Sequence, residues 1–398
     1  MAREMDTTSA SPRTTNAPTR EELLARAEAL VPVLRARSDA CEKLRRCPDE
    51  TVSDLLASGL LRICQPARFG GYELGWDVLC EVSQILARGC GSQAWVGNIL
   101  NDHAHKLGTF ELRAQEEVWG KDPDTRLSAS FDPVGKAVPV PGGVRFSGRH
   151  RYSSGIDHVQ WVIAGGHVFE DGRPPRRNFF LIPRSEGTVV DDWHVMGLAG
   201  TGSKSFEVKD VFVPAHRMLD FEDADNGTGP GTRANPAFVF KMPRHDVAAT
   251  GFVAIAVGIA EGFLAEYLAY TGVRLSRGER IAALMGTQIS TGAAAAEIEG
   301  AHAIYLEAAR GAMRTLARGE TMTRRQRLQT KMKSALACQM ALNAVQKLFN
   351  AAGGRALFLD NAMQRQVRDL YAVAAHRALT WDSCASAYGG FLLGFDGA

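Results

Sequence analysis

The sequence changes its hydrophobic periodicity twice, and this order of three zones constrains the fold more than any other feature. Residues 19–127 carry apolar side chains at helical spacing, and Thr19 and Glu22 are placed to form a capping box. Residues 128–235 alternate apolar and polar side chains between Pro-Gly and Gly-Gly pairs. Residues 236–398 return to four long helical segments rich in small residues. The order predicts an α+β chain with an N-terminal helical domain, a central domain that is an antiparallel sheet or small β-barrel, and a C-terminal four-helix bundle.

Composition excludes several classes of protein. A net charge of +2 lacks the basic surplus of a nucleic-acid-binding chain. The longest apolar stretch, 251–264, is too short to span a bilayer and contains Glu261, so it predicts a buried helix and no membrane partner. Seven cysteines without a CxxC pair predict reduced thiols in a cytoplasmic protein. Residues 1–18, rich in Thr, Ser, Pro and Arg, predict a disordered tail.

The segment GRHRYSSGIDHVQW, residues 148–161, places Ser153, Ser154 and Gly155 between two strand-like runs. Serine and glycine are typical of a hairpin turn, where they satisfy the conformation of the backbone. A second interpretation is a wall against a flat polar ligand, because a hydroxyl both donates and accepts hydrogen bonds and glycine permits close approach. The residues by themselves leave both interpretations open.

Several common cofactor motifs are missing. No GxGxxG follows a strand, and GLAGTGS, residues 197–203, lies between strands with a different spacing. Neither a GxxxxGK[ST] loop nor a GxSxG nucleophile elbow occurs. No HExxH helix is present, and His103 and His105 are only two positions apart, so no metal site is expected. The residues therefore predict no Rossmann nicotinamide site, no P-loop and no metal site.

Five segments, in this order, resemble the oxygenase components of two-component, reduced-flavin-dependent monooxygenases, in particular the hydroxylases of seco-steroid phenols and 4-hydroxyphenylacetate. These components share the acyl-CoA dehydrogenase fold. The segments that carry the resemblance are ARFGGYELGWDVL (67–79), GSQAWVGN (91–98), VRFSGRHRYSSGIDHVQWVIAGG (144–166), DDWHVMGLAGTGSKSFEVKDVFVPAHR (191–217) and GGRALFLDNAMQRQVRDLYAVAAH (353–376).

An acyl-CoA dehydrogenase with bound FAD is an alternative with the same fold. Many members of that family carry a catalytic glutamate eight residues after an Arg-Asp pair, which Arg368 and Asp369 match here. The corresponding position holds Arg377, preceded by His376, and this argues against the dehydrogenase. Some dehydrogenases place the base on another helix, so the alternative stays open. N- or S-oxidation with the same cofactor, and a non-catalytic flavin-binding protein, are further alternatives.

The resemblance implies a reaction and its partners. Reduced FMN, or FAD as the alternative, comes from a separate NAD(P)H:flavin reductase and reacts with O2 to form a C4a-hydroperoxide. This intermediate hydroxylates a small aromatic or phenolic substrate, while the protein supplies a dry pocket, a partner for flavin N5 and a proton donor. The resemblance also implies a homotetramer, and the small residues of the helical segments suit close packing.

The resemblance points to three catalytic residues. Ser154 is expected to contact flavin N5, and His376 to supply a proton or stabilise charge, as a side chain that titrates near neutral pH can do. His103 is expected to accept the phenolic proton of the substrate. Asn101 and His105 share another face of the same helix, and the sequence does not determine which face meets the pocket. A structural role is the alternative for each histidine.

The resemblance implies cofactor contacts from four parts of the chain. The implied residues are Ser128 and Ser130 near the flavin pyrimidine or the substrate, Ser153, Ser154 and Gly155 beside the ring system, Arg277 and Gln288 reaching the flavin of a neighbouring subunit, and Gly353 and Gly354 near the cofactor. Arg274 and Arg280 are alternatives to Arg277, and a helix C-cap is an alternative role for Gly353. Trp161 is expected to pack in the interior of the sheet, with packing against the flavin as the alternative.

Overall fold

The N-terminal part of the chain is helical in the computed structural model, which describes residues 17–395. The predicted tail lies outside the described residues up to position 16. The capping box forms, because the Thr19 hydroxyl accepts from the Glu22 amide (3.2 Å) and the Glu22 carboxylate accepts from the Thr19 amide (2.8 Å). The helices of this part are α1 (Arg20–Leu44), α2 (Asp49–Ala57), α3 (Trp76–Ala87), α4 (Gly91–Leu107) and α5 (Leu112–Trp119).

Seven strands follow and form one open sheet. They are β1 (Leu127–Val140), β2 (Gly143–Ser153), β3 (Trp161–Val168), β4 (Arg176–Pro183), β5 (Thr188–Val190), β6 (Lys204–Pro214) and β7 (Met218–Asp220). Their order in space is β5-β6-β2-β1-β3-β4-β7, so β5 and β7 are free edges and the predicted closed barrel is wrong. The pair β1–β3 is parallel, and the sheet is therefore mixed where an antiparallel one was predicted.

The segment between β2 and β3 is a crossover connection. Both strands pair with β1, which lies between them, so residues 154–160 pass over the end of β1. Gly155 has φ of 68° and begins a short 3-10 turn over Ile156–His158. The hairpin interpretation of the serine pair is therefore wrong, since a hairpin joins strands that are neighbours in the sheet.

The C-terminal part contains five long or medium helices where four were predicted. The predicted fourth segment is interrupted at His376, which caps a 3-10 turn over Arg377–Leu379. A two-stranded hairpin precedes α9, and two short helices precede α8. The elements are α6 (Phe221–Asn226), α7 (Arg244–Val247), α8 (Ala249–Val273), β8 (Leu275–Ser276), β9 (Glu279–Arg280), α9 (Met285–Ala317), α10 (Arg324–Ala352), α11 (Ala362–Ala374) and α12 (Trp381–Leu392).

The three zones share one hydrophobic core. Leu23 of α1, Phe146 of β2 and Val253 of α8 belong to the same continuous cluster of buried side chains. The apolar helical stretch Arg244–Val273 is long enough to cross a membrane, but 89% of its most apolar window is buried inside the protein. It is the central core helix against which α3, α9, α10 and α11 pack.

His150 on β2 should make folding sensitive to acid. Its ring stacks on Phe146 (centroids 5.6 Å apart), and neither ring nitrogen has a hydrogen-bond partner within residues 17–395. Burial lowers the pKa of His150 to about 4. An unfolded histidine titrates near pH 6.5, so between pH 6.5 and 4 the unfolded chain binds more protons and stability falls as the pH falls.

We predict that His150→Phe removes this part of the acid sensitivity. The free energy of unfolding at pH 7 should change little, whereas at pH 5 the variant should gain about 2 kcal/mol relative to the wild type. Urea unfolding at both pH values measures the difference. An equal change at pH 5 and pH 7 would show that His150 is not a buried neutral residue.

Candidate active site

Helix α4 is buried on every side, and its rotation decides which polar residues meet the sheet. All 17 of its residues are buried. Asn101 is structural: its amide group donates to the Leu60 carbonyl (2.8 Å) and its oxygen accepts from the Ile63 amide (3.1 Å). His105 bonds the Val239 carbonyl (2.8 Å) on the opposite side from the sheet. Both residues therefore hold neighbouring segments in place.

Of the three candidates Asn101, His103 and His105, His103 is the one that faces the sheet. Its Nδ1 lies 3.0 Å from the carbonyl oxygen of Leu127 on β1. A carbonyl only accepts, so Nδ1 carries the proton and the lone pair stays on Nε2. Burial lowers the pKa of His103 to about 4, and the ring is neutral at pH 7. Its edge meets the ring of Phe131 at 5.6 Å between centroids.

The Ser154 hydroxyl belongs to a buried chain of hydrogen bonds. It accepts from the Trp95 indole nitrogen on α4 (3.1 Å) and shares a bond with the Ser203 hydroxyl (2.7 Å). Ser203 in turn bonds the Thr201 hydroxyl (2.6 Å). The Ser128 hydroxyl on β1 also donates to the Ser154 carbonyl (2.9 Å). Two neighbouring segments and a helix thus fix the position of Ser154.

His376 contacts Trp95, the residue whose indole donates to Ser154. Its ring centroid is 5.9 Å from that of Trp95 and 4.4 Å from that of Phe252, and the latter two rings are stacked. The His376 Nδ1 accepts from the Ala378 amide (3.2 Å), which leaves the proton on Nε2. Burial, followed by nearby arginine charges, lowers the pKa of His376 to about 4. At pH 7 the ring is a neutral donor.

A buried ion pair between Asp102 and Arg244 lies near both His103 and His376. Arg244 at the start of α7 binds both carboxylate oxygens of Asp102 on α4, with a distance of 2.6 Å from Nε to Oδ1. The guanidinium lies 4.1 Å from the ring centroid of Phe131. The charges of Asp102 and Arg244 act on the pKa of both His103 and His376. The Asp102–Arg244 pair therefore lies near both predicted catalytic histidines, in the region between α4, β1 and α7.

The flavin-contact residues predicted around the serine pair lie at the border of this region. The Ser153 hydroxyl is buried and has no hydrogen-bond partner in the part of the chain that is described, so it is free to bind a ligand. Ser130 is buried on β1, two residues after Ser128. Gly155 is required by its positive φ, and its α-carbon faces Val96 of α4. These features suit a polar ring system such as a flavin.

Within residues 17–395, the remaining predicted cofactor residues do not contact the region between α4, β1 and α7. Arg277 and Gly278 form the turn of the β8–β9 hairpin, with φ of 50° and 84°, and the arginine is exposed. Gln288 lies in the first turn of α9 and donates to the Ala282 carbonyl (3.1 Å). The exposed side chains of these two residues are therefore accessible to another molecule.

Gly353 and Gly354 follow the end of α10, next to the same hairpin. Gly353 has φ of 76°, and Arg274 donates to the Ala352 carbonyl (2.6 Å) beside it. The C-cap alternative thus explains Gly353, while Arg274 ties the hairpin to α10. The predicted cofactor residues consequently form two groups, one buried under α4 and one on the exposed hairpin end of the helices.

The sequence analysis missed several residues of the region. Trp95, Phe252, Ser203 and the Asp102–Arg244 pair were given no role. Trp95 lies within a segment that was singled out, and a buried indole N–H needs an acceptor, which was a usable signal. Tyr152 was also missed: it has φ of 64°, is 62% exposed and meets Trp193 edge to face. A strained aromatic residue directly before the serine pair suggests a function.

Comparison with known proteins first defines the class. Residues 250–381 match the family model described as acyl-CoA dehydrogenase, C-terminal domain. The crystal structure of 3-HSA hydroxylase from Rhodococcus sp. RHA1 superposes with a TM-score of 0.91 at 34% identity, covering 95% of this chain and 98% of that one. The protein therefore has the acyl-CoA dehydrogenase-like fold, as predicted.

The relatives narrow this class to one family. The oxygenase subunit HsaA of a flavin-dependent monooxygenase from Mycobacterium tuberculosis is 37% identical over 361 residues, which cover 90% of this chain and 92% of the relative. The oxygenase component of an FADH(2)-dependent resorcinol hydroxylase from Rhizobium sp. is 34% identical over 387 residues and 94% of each chain. The chain belongs to the family of flavin-dependent monooxygenase oxygenase subunits, and the prediction of a flavin-dependent monooxygenase is confirmed.

Proposed function

We propose that the protein hydroxylates a small phenolic substrate in the region between α4, β1 and α7. The observation that carries the proposal is the contact of both Ser154 and His376 with Trp95, together with His103 facing the same sheet. One relative is named a resorcinol hydroxylase, and resorcinol is a phenol. The proposal extends this substrate class to the present chain.

The residues present fit a flavin beside the serine pair. Ser153 offers an unpartnered buried hydroxyl, and Ser154 offers a hydroxyl held in place by Trp95 and Ser203. The exposed ring of Tyr152 adds a flat apolar surface next to them. Reduced flavin supplies the electrons that activate O2. FMN is proposed as the cofactor, with FAD as the alternative, and a separate NAD(P)H:flavin reductase as its source.

Two neutral histidines divide the proton chemistry. The lone pair on His103 Nε2 suits acceptance of the phenolic proton, because the other nitrogen is held by the Leu127 carbonyl. The proton on His376 Nε2 suits donation to the oxygen atom that is not transferred to the substrate, because Nδ1 is occupied by the Ala378 amide. The aromatic rings of Trp95 and Phe252 exclude water on the His376 side.

Single-turnover experiments test the proposed function. The protein is mixed with reduced FMN, and then with O2 and a panel of phenols, and both the hydroxylated product and hydrogen peroxide are quantified. We expect an ortho-dihydroxy product with little peroxide. Peroxide as the sole product with every phenol, or reduction of a dye by an acyl-CoA, would contradict the proposal. Oxidation of amines or thioethers in place of phenols would instead support the N- or S-oxygenase alternative.

A homotetramer is proposed to complete the cofactor site. Arg277, Gln288 and Gly354 lie at the end of the helices where apolar side chains are exposed, including Val273 (79%) and Met285 (74%). Such a surface is typical of a subunit interface. A neighbouring copy seated there would bring these residues to a flavin beside its own serine pair.

Arg277→Ala is predicted to weaken the binding of reduced FMN by roughly 10-fold, because an arginine bond to phosphate is lost. Anaerobic titration measures the dissociation constant. Arg318→Ala is the matched control, since this exposed arginine lies at the other end of the 33-residue helix α9, about 50 Å away. Equal affinities of wild type and Arg277→Ala would reject the assignment and leave Arg274 and Arg280 to be tested.

A cytoplasmic location and a three-domain division are proposed as well. All seven cysteines are buried and unpaired, which suits a reducing compartment. The divisions near residues 127 and 235 coincide with the start of β1 and with the segment that leads into α7. The shared core described above implies that the three parts fold as one cooperative unit.

A further inference from the structure

Lys106 of α4 is a buried cation without an anionic partner. The residue is 2% exposed, and within residues 17–395 the carboxylates of Asp225 and Asp102 act on its ammonium group only through charge, without a hydrogen bond. The ammonium lies 4.3 Å from the ring centroid of Phe179 and 5.7 Å from that of Phe131. Lysine is almost never fully buried unless it is paired, so this arrangement needs a ligand to explain it.

The neighbouring charges leave Lys106 uncompensated. Arg244 lies on the same Phe131 ring, but it is already neutralised by Asp102. Asp225 on α6 acts on Lys106 only from beyond ion-pair distance. Burial, followed by the charge of Arg244, lowers the pKa of Lys106 to about 7. An anion bound beside the ammonium group would offset both effects and keep the lysine protonated.

The position of Lys106 relates it to the proposed chemistry. It lies three residues after His103 on α4, so the two side chains project from the same face about 4.5 Å apart along the axis. Phe131 contacts both of them, since its ring meets the edge of His103 and lies 5.7 Å from the ammonium group of Lys106. His103 and Lys106 therefore border the same side of the sheet.

We propose that Lys106 is a specificity-determining residue that binds a carboxylate at the end of the substrate opposite the phenolic hydroxyl. The inference rests on the proposed function, because it takes the aromatic substrate from there. It adds that the natural substrate is an acidic phenol, with the carboxylate on Lys106 and the hydroxyl on His103.

Two probes that differ in charge alone test the subsite. The dissociation constants of p-hydroxyphenylacetate and its neutral amide, p-hydroxyphenylacetamide, are measured by calorimetry on the full chain with reduced FMN, without oxygen. We expect the wild type to bind the acid about 10- to 100-fold more tightly than the amide. Lys106→Met should abolish this preference by weakening binding of the acid alone, and Lys106→Arg should retain it.

A matched control isolates the buried charge. Lys136 lies 5.5 Å from the ring centroid of Phe169 on the exposed surface, so Lys136→Met removes a lysine–phenylalanine contact without affecting the region under α4. It should leave both dissociation constants unchanged. Equal affinity of the wild type for acid and amide, failure to bind either, or an equal loss of both in Lys106→Met would overturn the inference.

Product analysis distinguishes this failure from failure of the proposed function. Hydroxylation of the amide without any preference for the acid would leave the function standing and reject the subsite. Strong preference for the acid in binding, without hydroxylation of either probe, would support the subsite and reject the function. The preference of the wild type itself does not depend on the folding of any variant.

Discussion

Replacing His376 by alanine is expected to convert the enzyme from an oxygenase into a source of hydrogen peroxide. The variant should bind reduced flavin as the wild type does, because no described contact of His376 involves the serine pair directly. Hydroxylation should slow by roughly 100-fold, the lower end of what a positioned proton donor contributes to a rate, so most of the oxygen consumed should appear as hydrogen peroxide. Quantifying product and peroxide in the same single turnover measures this change.

A second variant separates the loss of the proton donor from the loss of the cap that His376 forms. His376 also accepts from the Ala378 amide at the break between α11 and α12, so its removal disturbs a cap as well as a donor. His376→Asn keeps a side-chain acceptor for that amide but cannot place a donor where Nε2 lies. It should retain thermal stability and still release peroxide. Normal coupling of oxygen to product in both variants would exclude the proposed role.

Removing the carboxylate of Asp102 is expected to cause the largest loss of stability of any single change in this region. The side chain of Asp102 is completely buried and that of Arg244 is 12% exposed. Asp102→Ala would leave a guanidinium buried among aromatic rings without its counter-charge, at a cost of about 3–5 kcal/mol. Chemical unfolding of both proteins at pH 7 measures the difference.

Two controls define the source of that loss. The double variant Asp102→Leu with Arg244→Met removes both charges and should recover much of the stability, because no unpaired ion is left. Glu320→Ala breaks the exposed pair with Arg318 and should have little effect, since exposed pairs contribute little. If Asp102→Ala were as stable as Glu320→Ala, the buried pair would not be the centre of the site.

The sequence predicted the order of the helical and strand zones, because strands and helices differ in period. The serine pair and His376 were singled out from the family segments, and their roles stay predictions. The sequence did not predict which side of helix α4 faces the sheet. A helix that is buried on all sides has no apolar stripe, so its periodicity carries no information about its rotation. His103 was preferred, but which of Asn101, His103 and His105 faces the pocket stayed open until their hydrogen bonds were seen.

The pairing of the strands was equally inaccessible. The residues of β1 alternate in the same way whether the strand pairs with β2 alone or also with β3, so the parallel pair and the open edges left no signal. Lys106 and Arg244 were missed for a related reason. A charged residue in a sequence is typical of the surface, and only the packing of Phe131 shows that both are enclosed.

The passage of residues 154–160 over the end of β1 restricts how this chain can diversify. Seven residues must cross two inter-strand spacings, about 10 Å, while beginning at Ser154 and ending in register with β3. Inserting or deleting a residue there would shift the serine hydroxyls or slide β3 along β1. The turn between β3 and β4 at residues 169–175 carries no such constraint. Length variation among descendants of this sequence should therefore accumulate in that turn, and the crossover should keep its length.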